Sequence, residues 1–304
     1  MRRRTVQGSI AACGGEVFVD ALPEFAFHRP ATVAETRALQ ARYRGRAALL
    51  AGGTDLIPRM RARERMPQVV IDLKRLATLG GPIRIDCSRA QLPALTRTAD
   101  LARHAALRRR WPMLAEAAAT LGTPQVRERA TVGGNLMRGG SWGDLAVALL
   151  ALNASVRVFD ARGRSRVLPL DELLGARVVE GSPLLLASVA VPAPPRGLRA
   201  AFRKLETREA AGAPVAAVAV AVVREGGWVR HARIAIGGAG PRPLRVPAAE
   251  SLLLQHVGGP LDILAAASEA ADAARPGSDA YASSDYRREM VRVLVRRALE
   301  EVLR

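Results

Sequence analysis

Cysteine and histidine are scarce in this 304-residue sequence, which has two Cys, Cys13 and Cys87, and four His. Two thiols cannot form a disulfide framework, and an iron-sulfur cluster ordinarily takes about four thiolates. The histidines are dispersed and show no metal-ligand spacing such as HExxH. We therefore expect neither an iron-sulfur cluster nor any other metal site on this chain.

Long hydrophobic runs are also missing. Arg, Pro or Gly interrupts every apolar stretch before the roughly 18 residues that a membrane-spanning helix requires. The N-terminus, MRRRTVQGSIAACGG, begins with arginines, but the apolar stretch after them is short and broken by glycines. We expect residues 1–23 to be an N-terminal extension of a cytoplasmic protein without a membrane span, with a secretory signal peptide as the alternative.

Lysine and aromatic residues are few as well. The net charge is +18, yet only two of the 46 basic residues are Lys, and aromatics make up 4% of the chain. A charge of this size suggests an anionic partner, such as nucleic acid, a nucleotide cofactor or an acidic protein. The arginines are scattered without the stacking aromatics of a nucleic-acid groove, so we expect no nucleic-acid partner. A non-enzymatic, basic nucleotide-binding module is one alternative.

Helices and strands can be predicted from hydrophobic spacing and capping residues. Thr32 and Glu35 form a capping box at the start of the first helix, and three prolines at 192–197 predict a domain boundary. A hairpin turn is expected at Gly226-Gly227. The predicted helices cover 30–40, 98–109, 112–121, 144–152, 247–255, 260–274 and 284–303, and the strands cover 47–50, 69–73, 155–160 and the segments on either side of 226–227.

Two Gly-Gly motifs are the most informative chemical features: AGGTDL at 51–56 and TVGGN at 131–135. A Gly-Gly turn after a strand lets a diphosphate approach the backbone amides closely, because no Cβ intervenes. Neither motif is GxGxxG or a P-loop, so nicotinamide binding of the Rossmann type and ATP hydrolysis lose sequence support. Each motif alone could be an ordinary tight turn. Two of them, each expected to end a strand, suggest that both bind one ligand.

These motifs belong to a larger set of segments that resembles the FAD-binding subunits and domains of molybdenum hydroxylases. That family includes xanthine dehydrogenase, carbon monoxide dehydrogenase and 4-hydroxybenzoyl-CoA reductase. The matching segments are FAFHRPATVAE, LLAGGTDLIPRMR, PQVRERATVGGN, GDLAVALLAL, FRKLETR, IGGAGPRPLR and SSDYRREMVRVLVRRAL. They run in the family's order from about residue 24 to 303.

The resemblance implies an α+β fold in two domains. A two-lobed FAD-binding domain of the vanillyl-alcohol-oxidase (PCMH) type would span 24–196, with lobes at about 24–75 and 76–196. A C-terminal domain of the carbon monoxide dehydrogenase flavoprotein type, with a small antiparallel sheet and helices, would span 197–304.

The resemblance also implies an FAD site. The diphosphate would be wrapped by the backbone of Leu50, Ala51, Gly52, Gly53, Thr54, Asp55 and Leu56. From the other motif it would be held by Thr131, Gly134 and Asn135. Leu121 and Gly122 would lie near the flavin or ribityl chain, and Asp144 would contact the ribityl hydroxyls. Lys204 would lie near the flavin ring as a cation that tunes it, the alternative being a surface lysine. The sequence departs from the family pattern at Arg138 to Trp142 and at Ala210-Ala211.

The function implied is that of one subunit in a larger enzyme. The flavin would be the redox centre, so no catalytic side chain is expected. Electrons would pass between the 2Fe-2S clusters of a small partner subunit and NAD or another acceptor, while a large partner subunit would carry the molybdopterin cofactor. The alternative enzyme is a stand-alone flavin oxidoreductase related to the UDP-N-acetylmuramate reductases.

Overall fold

The computed structural model describes residues 21–141, 143–175, 184–207, 214–254 and 256–304. The strands in this part of the chain are β1 Ala26–His28, β2 Ala47–Leu50, β3 Val69–Asp72, β4 Arg84–Ile85, β5 Arg89–Pro93, β6 Ser155–Phe159, β7 Ser165–Pro169, β8 Leu185–Pro192, β9 Arg199–Glu206, β10 Pro214–Glu225, β11 Trp228–Gly237 and β12 Leu244–Arg245. The helices are α1 Val33–Tyr43, α2 Leu56–Arg61, α3 Thr98–Arg103, α4 Ala105–Arg110, α5 Pro112–Ala119, α6 Pro124–Arg127, α7 Val132–Met137, α8 Asp144–Ala151, α9 Leu170–Gly175, α10 Pro247–Ser251, α11 Pro260–Ala273 and α12 Ser284–Leu303.

A small parallel sheet of order β1-β3-β2 opens the fold. The predicted cap of α1 is confirmed, because the Thr32 hydroxyl accepts a hydrogen bond from the Glu35 amide at 3.1 Å. The Glu35 carboxylate in turn accepts from the Ala31 amide. Strand β3 is buried along its whole length, as a central strand between two parallel neighbours should be.

The second sheet is antiparallel, of order β4-β5-β8-β6-β7. Helix α8 packs against α5 on one side and against β10 and β11 of the third sheet on the other, and every one of its residues is buried. Apart from Asp144 at its start, α8 is apolar all round, as expected of a helix in the interior. One continuous hydrophobic core contains α8 and residues of all three sheets.

The third sheet is antiparallel, of order β12-β11-β10-β9. The predicted hairpin is confirmed: Glu225 pairs with Trp228, and Gly226 and Gly227 take the left-handed conformation of a tight hairpin turn. Alternate residues of β10 face two different cores. Ala217 and Ala219 join the core shared with α8, while Val218, Val220 and Val222 pack against α12 in the second core.

The α+β class is confirmed, but three predicted elements are wrong in detail. The helix expected over 98–109 is two helices, α3 and α4, because His104 has an extended backbone and its Nδ1 accepts from the Leu107 amide as a new cap. The helix expected over 247–255 ends at Ser251. Gly133 and Gly134 do not form a turn after a strand; they lie in the first turn of α7, which Thr131 caps.

Candidate functional site

A cavity of about 550 Å³ opens where segments of all three sheets meet. The residues that the sequence predicts for the site and that line this cavity are Ala51, Gly52, Gly53, Thr54, Asp55, Leu56, Leu121, Gly122, Thr131, Gly134, Asn135, Asp144 and Lys204. Leu50 is not among the residues that line the cavity; it ends β2, and a Cβ on Gly53 would lie 3.1 Å from its side chain. The third sheet contributes Lys204, Glu206 and Pro214 to the cavity wall.

The first motif forms a loop between β2 and α2, and its two glycines are needed for different reasons. A Cβ on Gly52 would meet the Arg129 carbonyl oxygen at 2.0 Å, so Gly52 allows close packing against the chain that precedes the second motif. Gly53 has φ +78°, a left-handed conformation that favours glycine. Within the described residues, the N–H groups of Gly52, Gly53 and Thr54 donate to no protein acceptor. These amides are available to bind an anion.

The second motif uses its amides internally. The Gly133 N–H donates to the Ala94 carbonyl at 2.8 Å, and the Gly134 N–H donates to the Thr131 hydroxyl at 3.1 Å. The second motif contributes the Asn135 side chain to the cavity wall, and Asn135 Oδ1 is buried without a hydrogen-bond partner. A buried acceptor without a donor is costly, and a ligand donor would relieve that cost.

An ion pair links the two motifs. The Arg138 guanidinium, just beyond α7, donates to the Asp55 carboxylate in the first loop. Arg59 approaches the same carboxylate at 3.6 Å from one turn along α2. Arg138 therefore forms its ion pair at the cavity with a carboxylate of the same chain, that of Asp55. The other departures from the family pattern, Trp142 and Ala210-Ala211, lie outside the described residues.

Three charged side chains meet at the cavity wall opposite the loops. Lys204 Nζ lies 2.6 Å from Asp144 Oδ2 and 2.7 Å from Glu206 Oε1. The Lys204 side chain is 7% exposed, so it is not a surface lysine. Burial raises the pKa of the Asp144 carboxyl above its ordinary value, although the Lys204 ammonium opposes that change.

Glu206 was not among the residues predicted from the sequence. The signal for it was present in the segment FRKLETR, because residues two apart on a strand share one face and Lys204 and Glu206 both lie on β9. With all three groups ionised, the cluster of Asp144, Lys204 and Glu206 carries one net negative charge. Lys204 is therefore a shared counter-ion at the cavity wall.

A second lysine supports the first loop from below. Lys74 Nζ lies 2.6 Å from Asp72 Oδ1 and 3.4 Å from the Ala51 carbonyl oxygen. Asp72 ends β3, is 1% exposed at its side chain, and also accepts from Arg29 at 2.9 Å. Burial raises the pKa of Asp72, but the hydrogen bonds from Lys74 and Arg29 outweigh it and leave the pKa below its ordinary value. This network fixes the carboxyl end of β3 beneath Ala51.

The chemistry of the cavity fits FAD. The amides of the first loop suit a diphosphate, and the carboxylates of Asp144 and Glu206 are acceptors for hydroxyl groups. The apolar part of the cavity wall, formed by Leu121 and residues 184–186, suits a flavin ring. In the part of the chain that is described, no cluster of three or more His, Cys, Asp or Glu could hold a metal ion. Nor is any helix there long and apolar enough to cross a membrane.

Comparison with known families supports the same assignment. Residues 23–194 match the family model described as the FAD binding domain in molybdopterin dehydrogenase. Residues 200–302 match the model of the CO dehydrogenase flavoprotein C-terminal domain. Together the two matches cover nearly all of the described chain.

Individual relatives agree with these matches over most of their length. The carbon monoxide dehydrogenase medium chain of Hydrogenophaga pseudoflava is 34% identical over 280 residues, which cover 91% of this chain and 96% of the relative. The alpha subunit of the 6-hydroxypseudooxynicotine dehydrogenase complex of Paenarthrobacter nicotinovorans is 33% identical, covering 84% and 87%.

A solved structure of carbon monoxide dehydrogenase from Hydrogenophaga pseudoflava, lacking the Mo-pyranopterin moiety of its cofactor, superposes with a TM-score of 0.87. It is 33% identical, and the match covers 92% of this chain and 97% of the solved one. The protein therefore belongs to the FAD-binding medium subunits of the molybdenum hydroxylase family, and it is a subunit of a flavin-dependent oxidoreductase.

Proposed function

We propose that this chain binds FAD in the 550 Å³ cavity and transfers electrons between the 2Fe-2S clusters of a small partner subunit and NAD or another acceptor. A large partner subunit carries the molybdopterin cofactor and acts on the substrate. Flavin exchanges electrons singly or in pairs, which suits it to a position between one-electron clusters and a two-electron acceptor. The side chains of this chain bind, orient and shield the cofactor.

The observation that carries the proposal is the set of three unused amides on a cavity that Asn135 and Asp144 also line. The N–H groups of Gly52, Gly53 and Thr54 are directed to no protein acceptor within the described residues, and Asn135 Oδ1 receives no donor. We assign the amides to the diphosphate. We assign Asn135 to a donor group on the cofactor, Asp144 to the ribityl hydroxyls, and Leu121 and Gly122 to the wall beside the flavin.

The roles of Thr131 and Lys204 change from those implied by the family resemblance. Thr131 already accepts the Gly134 amide, so it orders the second motif and leaves its hydroxyl proton and one lone pair for the cofactor. Lys204 acts through Asp144 and Glu206, whose carboxylates it holds at the cavity wall. Gly134 leaves room for the cap of α7, since a Cβ there would lie 2.9 Å from Thr131 Oγ1.

The first test is the colour of the purified protein. We expect a yellow protein with an absorption band near roughly 450 nm that releases FAD on denaturation. A colourless protein that takes up no added FAD would contradict the proposal. Replacing Asn135 by Leu removes the unpaired acceptor at similar volume, and we expect about tenfold weaker FAD binding at unchanged or higher stability.

The second test is copurification from the native host. We expect two further polypeptides, one with molybdenum and pterin and one with iron and acid-labile sulfide. A yellow protein that purifies alone and reduces a small substrate by itself would favour the stand-alone oxidoreductase. Adding NAD to the reduced complex then identifies or excludes NAD as the acceptor, since its reduction is visible as absorbance of NADH.

A further inference from the structure

The cluster of Asp144, Lys204 and Glu206 has a charge balance that simple cofactor binding does not need. One ammonium faces two carboxylates, and the three side chains are 7%, 9% and 15% exposed for Lys204, Asp144 and Glu206 respectively. A buried pair of opposite charges is neutral, whereas this cluster, with all three groups ionised, carries one uncompensated negative charge beside the cavity. Water is a poor screen at such a site, so a change of charge in the cavity acts strongly on the cluster.

Opposing effects act on the ionisation of Asp144. Burial favours its protonated form, while the Lys204 ammonium at 2.6 Å and the amino end of α8 favour the carboxylate. Lys204 and Glu206 are the charged groups that act on Asp144, and Glu206 raises its pKa further. If Asp144 were neutral, Lys204 and Glu206 would remain as a one-to-one ion pair.

We propose that Asp144 is a proton acceptor coupled to the redox state of the cavity. It takes up one proton from solvent at a carboxylate oxygen for each pair of electrons delivered to the bound cofactor, and it returns that proton on reoxidation. This inference rests on the proposed function. Two electrons and one proton taken by the flavin leave one extra negative charge in the cavity. The proton on Asp144 cancels that charge, so the site as a whole stays at its resting charge.

The test is the pH dependence of the midpoint potential of the bound FAD, measured spectroelectrochemically on the purified chain from about pH 5 to about pH 9. Each proton taken up per electron pair changes the potential by 29.6 mV per tenfold change in proton concentration. We expect the wild type to show one more proton per electron pair than Asp144→Asn over part of this range. This additional pH dependence of the midpoint potential should appear between two pH values. The lower is the pKa of Asp144 when the cofactor is oxidised, and the higher is its pKa when the cofactor is reduced.

Glu116→Gln is the matched control. Burial raises the pKa of Glu116 as well, and Glu116 pairs at 3.3 Å with Arg203, the neighbour of Lys204 in the chain, but it does not line the cavity. Its replacement should leave the number of protons unchanged. If Asp144→Asn does not retain FAD, Glu206→Gln replaces it. Removing one of the two carboxylates makes Asp144 easier to ionise, so the steep part of the profile should move to lower pH.

The outcomes separate this inference from the proposed function. A colourless wild-type protein overturns both. Two outcomes with a yellow wild type would overturn the proton-acceptor role and leave FAD binding in place. In one, the midpoint potential of the wild type has the same slope against pH as that of Asp144→Asn. In the other, Glu206→Gln does not move the steep part of the wild-type profile. A merely structural role for Asp144 would change FAD affinity or stability without changing the number of protons per electron pair.

Discussion

The two Gly-Gly motifs look alike in the sequence but do different work in the structure. In the loop at 51–56 the amides are unused and the glycines permit tight packing and a left-handed turn. In the segment at 131–135 the amides are consumed by a helix cap and by the Ala94 carbonyl. The first motif therefore has the features of a ligand-binding loop, and the second those of a scaffold that presents Asn135. A repeated dipeptide does not imply a repeated role.

The largest expected effect comes from Gly52→Ala. A methyl group there would overlap the Arg129 carbonyl, which as backbone cannot move aside like a flexible side chain. We expect the free energy of unfolding to fall by about 3 kcal/mol or more and FAD binding to be lost. Gly80→Ala is the control, because the nearest atom to its Cβ would be 3.9 Å away. Chemical denaturation of both variants measures the difference, and equal stability would mean that the contact is not tight.

Gly133→Ala should separate stability from binding. Its Cβ would meet the Ala94 side chain and carbonyl oxygen at 2.9 Å, so we expect a loss of about 2 kcal/mol in unfolding free energy. Because the Gly133 amide already has a protein acceptor, FAD affinity of the folded protein should change by less than about threefold, or under 0.7 kcal/mol. An affinity loss as large as that of Gly52→Ala would show that both motifs bind the cofactor directly.

Thr131→Val and Thr54→Val compare the two threonines of the motifs. Valine at 131 removes the cap of α7, and we expect the unfolding free energy to fall by about 1 kcal/mol. The Thr54 hydroxyl makes no hydrogen bond to any described residue, so valine there should leave stability within about 0.5 kcal/mol of wild type. Thermal and chemical unfolding of the pair test this order, and a reversed order would contradict it.

The smallest effect is expected for the ion pair between the motifs. Asp55 and Arg138 are each about one-third exposed, so a double-mutant cycle with Asp55→Asn and Arg138→Ala should give a coupling energy of about 0.5 kcal/mol. The coupling should weaken in 1 M salt, where the Debye length falls to about 3 Å. A coupling unaffected by salt would mean that the two side chains are held by packing.

Most of the fold was predictable from the sequence because local residue patterns indicate where its helices, strands and turns lie. Thr32 caps α1 as predicted, and Gly226-Gly227 forms the expected hairpin turn. The break at His104 was not predictable from spacing, since the apolar period continues across it and only the side-chain cap ends α3. Local patterns describe what a segment can form, and tertiary contacts decide between the options.

The candidate site was likewise predictable in part from the sequence. Thirteen of the fourteen residues implied by the family resemblance line one cavity, and Leu50 precedes the first of them in the chain. The hydrogen bonds that each residue makes could not be predicted from the sequence, because partners such as the Ala94 carbonyl are distant in the chain. The same holds for Lys204, whose pairing with Asp144 joins positions 60 residues apart.

Strand β9 separates two environments by the pleat of a single strand. Arg203 faces outward to Glu116 of α5 and Glu301 of α12, and its neighbour Lys204 faces the cavity. A gene fragment that ended at the proline-rich boundary would keep both glycine motifs but lose Lys204 and Glu206. The cavity wall therefore needs residues from both matched segments, although each segment matches a family model of its own.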